Sequence, residues 1–359
     1  MTAAPGADRW LYATPFEAAT VRPAEIGAAL GLPVLGTSLS GRGALLAVLH
    51  RVLTTESAVW FPAYYCPEVV DTVRAVFPNR FRAYRDDPRA PAPELPLSEA
   101  GRADVVLVQN LFGLRQQPDY GAARCVVVED HTHDPTSGWA KRTEADYAFA
   151  AVWKTYPIPD GGLVWSRRHD EDFALRPNRP ALLEAVGARL SAMLLKQAYL
   201  SGSPEVGPDA YQRYEEPMKR AFLDLPHGAM TQISAGLLRG YPTDEWRAVR
   251  QRNHRFLADS FRQAGFDVLR PLAADAAPIG VAVDFHDPAV ADLVNRSMPA
   301  ARIHVAKLWP QAEIDGSPAV FSEEHLVFYT DHRYGERDLL KVVEAVRAVA
   351  EPCSRHGAA

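Results

Sequence analysis

Cysteine is scarce in this chain of 359 residues: Cys66, Cys125 and Cys353 are the only three, and they lie far apart. That spacing excludes a disulfide framework and a CxxC metal site. No apolar run approaches the roughly 18 residues of a membrane span, so no membrane association is expected. Charge of one sign is also lacking. The net charge is -5, from 39 basic and 44 acidic residues, which leaves no footprint for nucleic acid or an anionic surface. Met1 to Arg9 has neither the basic start nor the apolar stretch of a secretory signal. A soluble, cytoplasmic protein is the expectation. Lysine is in short supply too. Lys141, Lys154, Lys196, Lys219, Lys307 and Lys341 stand against 33 arginines. Arginine cannot replace lysine where a neutral amine must act as a nucleophile. A lysine kept in an apolar setting is therefore a candidate for chemistry.

What is present suffices for a sizeable core. The chain is 47% hydrophobic, and at roughly 150 residues per domain its length suggests two domains. Residues 1–36 read as irregular. Ser40 is a plausible N-cap for a helix whose apolar face carries Leu45, Leu46, Leu49, Val52 and Leu53. A short strand at Ala58–Phe61 precedes a turn, and Pro67 opens a second helix through Val76. Residues 86–97 are proline-rich and read as a loop. Asp104–Gln109 and Cys125–Glu129 are continuous apolar runs, as expected of strands buried on both faces of a parallel sheet. Tyr147–Val152 and Gly162–Trp165 read as further strands. The first half is thus an open α/β sheet, whose ligands collect at the carboxyl ends of its strands.

A helix over 180–200 and a mixed connection over 201–226 follow. Beyond them the pattern changes to a small α+β unit. It has a long helix from Asp244 to Ala264 stopped by Gly265, short strands near 266–269, 279–284, 303–305 and 326–329, and helices near 288–296 and 336–350. The last six residues are expected to fray. The division drawn is 1–225 for a large domain with an N-terminal segment, and 226–359 for a small C-terminal domain.

Four features of the first domain bear chemistry. Ser40-Gly41-Arg42-Gly43 at a helix start offers free N–H groups and the positive end of the helix dipole, a fit for phosphate. Glu129-Asp130 closes an apolar strand, where a carboxylate can face the ligand crevice and keep a heterocyclic nitrogen protonated. Lys154 follows Ala150-Ala151-Val152-Trp153, a setting that disfavours the charged amine and leaves it able to form a Schiff base. Asp160-Gly161-Gly162 permits a tight return into the next strand. Each has a plain structural reading as well: an N-cap, a loop carboxylate, a lysine reaching solvent, a turn. Together they form the three anchors of pyridoxal phosphate (PLP): a phosphate cradle, an acid for the pyridine nitrogen and a Schiff-base lysine.

From about residue 35 to residue 350 the order and spacing resemble the DegT/DnrJ/StrS aminotransferases. Ser40-Gly41-Arg42 is similar to that family's phosphate-binding turn. Phe61-Pro-Ala-Tyr-Tyr-Cys66, Asn110-Leu-Phe-Gly113, Glu129-Asp-His-Thr-His133, Lys154 with Gly161-Gly162, and Phe328-Tyr-Thr-Asp-His-Arg-Tyr334 resemble further family segments in turn. The resemblance implies a fold type I PLP-dependent transferase, aspartate aminotransferase-like, with a mostly parallel sheet in the large domain. Lys154 would be the internal-aldimine lysine and proton shuttle. Asp130 would meet the pyridine nitrogen, and His133 would lie near the phenolic oxygen. Ser40, Gly41 and Arg42 would hold the phosphate. A ring at Tyr64 or Tyr65, or the Cys66 position, would cover the pyridine face, and Asn110 stands where the family has a cofactor-facing histidine. The resemblance further implies a homodimer with the site at its interface, and a small-molecule amino donor and acceptor.

The chain departs from that pattern in places. Ala150-Ala151-Val152 lacks the family's phosphate-binding serine, and Leu225-Pro-His-Gly-Ala-Met230 replaces its Asn-x-Arg segment. It therefore resembles a divergent member. Transamination is the leading expectation. Decarboxylation, elimination or condensation of an amino acid, and a non-catalytic binding protein on the same fold, are the alternatives. Trp139 and Trp153 are candidate walls of a substrate pocket, with core packing as the alternative. Arg333 is a candidate fork for a substrate carboxylate, with a structural ion pair to Asp331 or Glu336 as the alternative. His131-Thr-His133-Asp134 falls short of a closed metal site, so no metal is expected. Cys66 reads as an inert buried thiol. Lys307, with no acid or glycine partner nearby, is discounted as a rival Schiff-base lysine.

Overall fold

The computed structural model describes residues 21–173, 178–224, 228–269, 274–309 and 324–354. Seven strands make one sheet: β1 (Val34–Ser38), β2 (Val59–Pro62), β3 (Phe81–Tyr84), β4 (Val105–Gln109), β5 (Val126–Asp130), β6 (Tyr147–Ala150) and β7 (Gly162–Trp165). Their order is β1-β7-β6-β5-β4-β2-β3. β3, β2, β4, β5 and β6 run parallel, whereas β7 is antiparallel to β6 and β1 to β7. The sheet is therefore mostly parallel, as expected, with β7 running against the rest.

Helices cover both faces, which is why β4 and β5 can be almost wholly apolar. On one face lie α2 (Gly41–Val52) and α3 (Pro67–Val76). Leu45, Leu49, Val70 and Val73 pack there on Phe61, Leu107, Val128 and Phe149. Ser40 caps α2 by accepting the Gly43 N–H at 3.2 Å. On the other face lie α1 (Pro23–Leu30), α4 (Gly138–Arg142) and, later in the chain, α7 (Gln232–Gly240). Ile26, Leu30, Ala140, Ala235 and Leu238 pack there on Ala148, Leu163 and Trp165. Between them in sequence, α5 (Pro180–Leu200) and α6 (Glu216–Asp224) pair with each other and bury Leu39 under Leu182 and Met218.

The remainder builds on α8 (Thr243–Gln263), β8 (Asp267–Val268), β9 (Gly280–Asp284), α9 (Pro288–Ser297), β10 (His325–Tyr329) and α10 (Glu336–Ser354). The three strands form an antiparallel sheet in the order β10-β9-β8. Leu257 and Phe261 of α8 meet Val281, Val283, Leu326 and Phe328 there. Gly265 adopts φ +86° and lets the Phe266 N–H close on the Phe261 carbonyl, so α8 stops where expected.

Several expectations fail. Residues 1–36 are not all irregular: α1 lies within them and β1 begins there. α1 is marked only by Pro23 at its first position and the left-handed Gly31 at its end. The 201–226 connection contains α6. The strand expected at 303–305 is a single bridge, Ala306 to Val327. β3 and α4 span only four and five residues, too short for a period to stand out, and no element was expected where α7 lies. The expected fraying of the last six residues, and Leu225 to His227, lie outside the described residues, apart from the backbone of Ser354.

Candidate active site

The carboxyl ends of β4, β5 and β6 meet the N-terminus of α2, the place where an open α/β sheet leaves a crevice. Asp130 ends β5 and is buried. Its Oδ2 accepts the Tyr65 hydroxyl at 2.5 Å, and its Oδ1 accepts the Thr132 N–H at 2.8 Å. Gln109, its register partner on β4, carries a buried amide oxygen without a partner among the described residues. Glu129 points the other way, because side chains alternate along a strand. Its carboxylate accepts from Tyr120 Oη at 2.7 Å and Trp139 Nε1 at 2.8 Å, and lies 2.8 Å from His131 Nε2. So Asp130 alone of the pair faces the crevice. Trp139 is core packing on the far face, not a pocket wall.

His133 is buried, and its Nδ1 accepts the Phe112 N–H at 2.9 Å. In the neutral ring the proton is therefore assigned to Nε2. Burial, then the positive charge of Lys154, push its pKa down to about 4, against the opposing pull of Asp130. Asn110 is also buried. Its N–H bonds the Asp130 carbonyl at 3.0 Å, while its side-chain oxygen turns back to the Arg115 N–H at 3.3 Å.

Lys154 closes a short 3-10 turn, Val152–Lys154, directly after β6. Its backbone follows a buried strand, but its side chain is exposed. The apolar enclosure expected of the amine is therefore absent within this single chain. The downstream loop is anchored twice. Gly161 N–H bonds the Leu39 carbonyl at 2.8 Å, and a Cβ on Gly162 would run into the Ser40 carbonyl. Asp160 is fully buried and accepts the Thr231 N–H at 2.8 Å, the Thr231 hydroxyl at 2.6 Å and the Ser234 hydroxyl. Thr231 is the N-cap of α7, so Asp160 pins the lysine loop to that helix. The sequence suggested only a turn at Asp160.

The Ser40 side chain takes the Gly43 N–H, which leaves those of Gly41 and Arg42 as the open donors of the first turn. A Cβ on Gly41 would sit 2.9 Å from Ala151 Cβ, so α2 meets the end of β6 at closest approach. The Arg42 guanidinium does not face an anion site. It donates to the Phe222 carbonyl at 3.0 Å and pairs with Glu68 at 2.9 Å, so its part in the turn is its backbone N–H.

Tyr64 donates its hydroxyl to the Leu308 carbonyl at 2.5 Å and lies 2.9 Å from His325 Nε2. Trp309 follows, its ring 5.1 Å from Tyr64, 5.8 Å from Tyr65 and 5.8 Å from His133. Nothing in the sequence motifs points to Trp309 except its place beside Lys307. Trp153 is stacked on Phe222 at 5.0 Å with the Arg189 guanidinium 4.4 Å from its centre, and Lys154 Nζ lies 6.0 Å from the same ring. Arg333 is held by Asp331 through two bonds, of 2.7 and 2.8 Å. It borders a separate cleft of about 720 Å³, shared with Lys196, Tyr211 and Arg302, whose lining includes neither Lys154, Asp130 nor His133. Arg333 does not join the cluster around Asp130, and Trp153 meets that cluster only at Lys154.

No family model and no curated protein matches the chain. Solved structures match it in fold. A DegT/DnrJ/EryC1/StrS aminotransferase from Brucella abortus aligns at TM-score 0.60 and 14% identity, over 91% of this chain and 89% of that one. A putative sugar aminotransferase from Streptococcus pneumoniae, in its PMP form, aligns at 0.63 and 13%, over 93% and 90%. The aminotransferase TlmJ from Streptoalloteichus hindustanus aligns at 0.59 and 17%, over 92% and 90%. The chain therefore has the fold of these structures, the fold type I architecture that the resemblance of its motifs led us to expect.

Proposed function

We propose that this chain is a PLP-dependent aminotransferase acting on a small-molecule keto or amino substrate. One observation carries the reading: a carboxylate (Asp130), a buried neutral imidazole (His133), a lysine amine (Lys154) and the open first turn of α2 at Gly41 are grouped at the carboxyl ends of the central strands. The donor set fits the cofactor. Asp130 would hold the proton of the ring nitrogen. His133 would donate from Nε2 to the phenolic oxygen. The Gly41 and Arg42 N–H groups would meet the phosphate at the positive end of α2. Gln109 adds an unpartnered amide oxygen on the face of Asp130.

When bound, PLP supplies an aldehyde and an electron sink. The chain supplies the rest. Lys154 Nζ takes up and returns the proton at the substrate carbon. Asp160 and the Gly161-Gly162 turn keep its loop seated on α2 and α7. Tyr65 orients the Asp130 carboxylate. Trp309 narrows the space above His133 and keeps water from it. We further propose a homodimer in the cytoplasm, with an amino donor and acceptor as partners. Leu183 and Leu194 of α5, on one side of the helix and exposed by 51% and 58%, support an apolar face for a second copy. Among the described residues no helix is long and apolar enough to cross a membrane.

The test is the absorbance spectrum of the purified protein beside Lys154→Ala, before and after glutamate. The expected result is a yellow band in the wild type that glutamate bleaches and the variant lacks. A yellow protein indifferent to glutamate favours another PLP chemistry, in keeping with Ala150 and Ala151 where a phosphate-binding serine is usual. A colourless protein that takes up no added PLP ends the reading.

A further inference from the structure

The resemblance puts a ring from the β2–α3 loop over the pyridine, but the side chains of that loop are otherwise engaged. The Tyr64 hydroxyl is tied to Leu308 and His325. Tyr65 is buried edge-on against Phe61, at 5.4 Å, with its hydroxyl on Asp130. Cys66 is the N-cap residue of α3 and offers no ring. A different aromatic comes in from the opposite side. Ala306 is paired to Val327 of β10 by two hydrogen bonds, of 2.8 and 3.0 Å. Two residues on, the Leu308 carbonyl is latched by Tyr64. Trp309 then adopts φ +49°, a left-handed conformation that costs a bulky residue energy and persists where surrounding contacts impose it. Its ring lies near-parallel to His133, at 20° and 5.8 Å, and beside Tyr65, the residue that holds Asp130. The indole thus lies beside His133, assigned to the phenolic oxygen, and beside Tyr65, whose hydroxyl holds the carboxylate assigned to the ring nitrogen.

We propose that Trp309 is the ring that covers the cofactor, supplied from the unit of the three-stranded sheet rather than from the β2–α3 loop. This rests on the PLP reading above. The cofactor seat is then built from both sheets, with Asp130, His133 and Lys154 on one side and Trp309 on the other. The Tyr64–Leu308 bond is the latch that sets the ring's height.

The test titrates PLP into the full chain freed of cofactor, for the wild type, Trp309→Phe and Trp309→Ala. Affinity is read by equilibrium dialysis and contact by the quenching of tryptophan emission. The chain has seven tryptophans, so the difference between the wild type and Trp309→Phe isolates the signal of Trp309. Trp309→Phe is expected to keep PLP affinity within about threefold and to lose a distinct share of the quenching. Trp309→Ala is expected to weaken PLP binding by about three- to tenfold, the worth of one aromatic stacking contact. If Trp309→Ala does not fold, the emission difference in Trp309→Phe decides alone. A Trp309 emission that PLP leaves unchanged overturns the proposal. So does a Trp309→Ala chain that binds PLP as well as or better than the wild type, since the indole would then be indifferent to the seat or filling it. A wild type that binds PLP while Trp309 is indifferent sinks this inference and spares the functional one. A wild type that takes up no PLP sinks both.

Discussion

At the end of β5 two carboxylates stand next to each other in sequence and on opposite faces of the sheet. Glu129 is sealed beneath Tyr120, Trp139 and His131. Asp130 opens toward the crevice with one tyrosine hydroxyl and one backbone N–H on it. The two histidines that follow divide in the same way: His131 goes back to Glu129, and His133 goes forward beside Trp309. The two-residue period of β5 alone separates Glu129 from Asp130; His131 and His133 lie past the end of the strand, where the turn that follows separates them. On the back face the polar groups bond one another within the core, His131 Nδ1 excepted among the described residues. On the front face they retain capacity for a ligand.

Substitution should separate the two faces, with activity showing the larger effect. Asp130→Ala is expected to lower activity by on the order of 10²-fold or more, the usual scale for a proton-handling group. It removes two hydrogen bonds and should cost only about 1–3 kcal/mol of stability. Rates read from the bleaching of the cofactor band, beside a urea melt, check both parts. Glu129→Ala should do the reverse. It strands three buried donors, at a cost of about 3–5 kcal/mol, while the folded fraction keeps its activity within a few-fold. Glu129→Gln, which leaves an acceptor for Tyr120 and Trp139, should lose less. An inactive Glu129→Ala protein that melts like the wild type would show that the back face also serves the chemistry.

Much of this arrangement is legible in the sequence, for identifiable reasons. Strands buried on both faces leave long apolar runs, so β4, β5 and β7 stand out. The cap at Ser40 and Pro67 at the first position of α3 carry local signals that need no tertiary context. Lys154 and Asp130 stand out because a lysine or carboxylate at the end of an apolar strand is unusual. What tertiary contact decides is not legible. The antiparallel course of β7 depends on its neighbours rather than its composition. Nothing in Arg42 announces that Glu68 and Phe222 will hold its guanidinium. Trp309 reaches the site through a bond between Tyr64 and a carbonyl 244 positions later, and no local pattern spans that distance.

The histidines offer a smaller effect that sharpens the same contrast. The folded-state pKa of His133 is about 4, below its ordinary value of 6.5, because the ring is buried and faces the charge of Lys154. Between those two pH values the unfolded chain binds a proton that the folded chain refuses. The contribution of His133 to stability is thus complete above pH 6.5 and is lost as pH falls toward 4. One such group gives a slope of about 1.4 kcal/mol per pH unit in that window. His254, also pushed down to about 4 by burial, adds a parallel slope from the helix α8. Urea melts at a series of pH values should therefore show stability falling below pH 6.5, with His133→Asn shallower than the wild type by about one proton. PLP gives the measurement its second arm. Protonation falls on Nδ1, where it breaks the bond from the Phe112 N–H and turns the ring, so the wild type should release PLP as pH drops toward 4. His133→Asn should bind PLP more weakly throughout and lose that part of the pH dependence. A His133→Asn slope equal to that of the wild type would mean that the imidazole is already protonated in the fold, and that the front face is wetter than its burial implies.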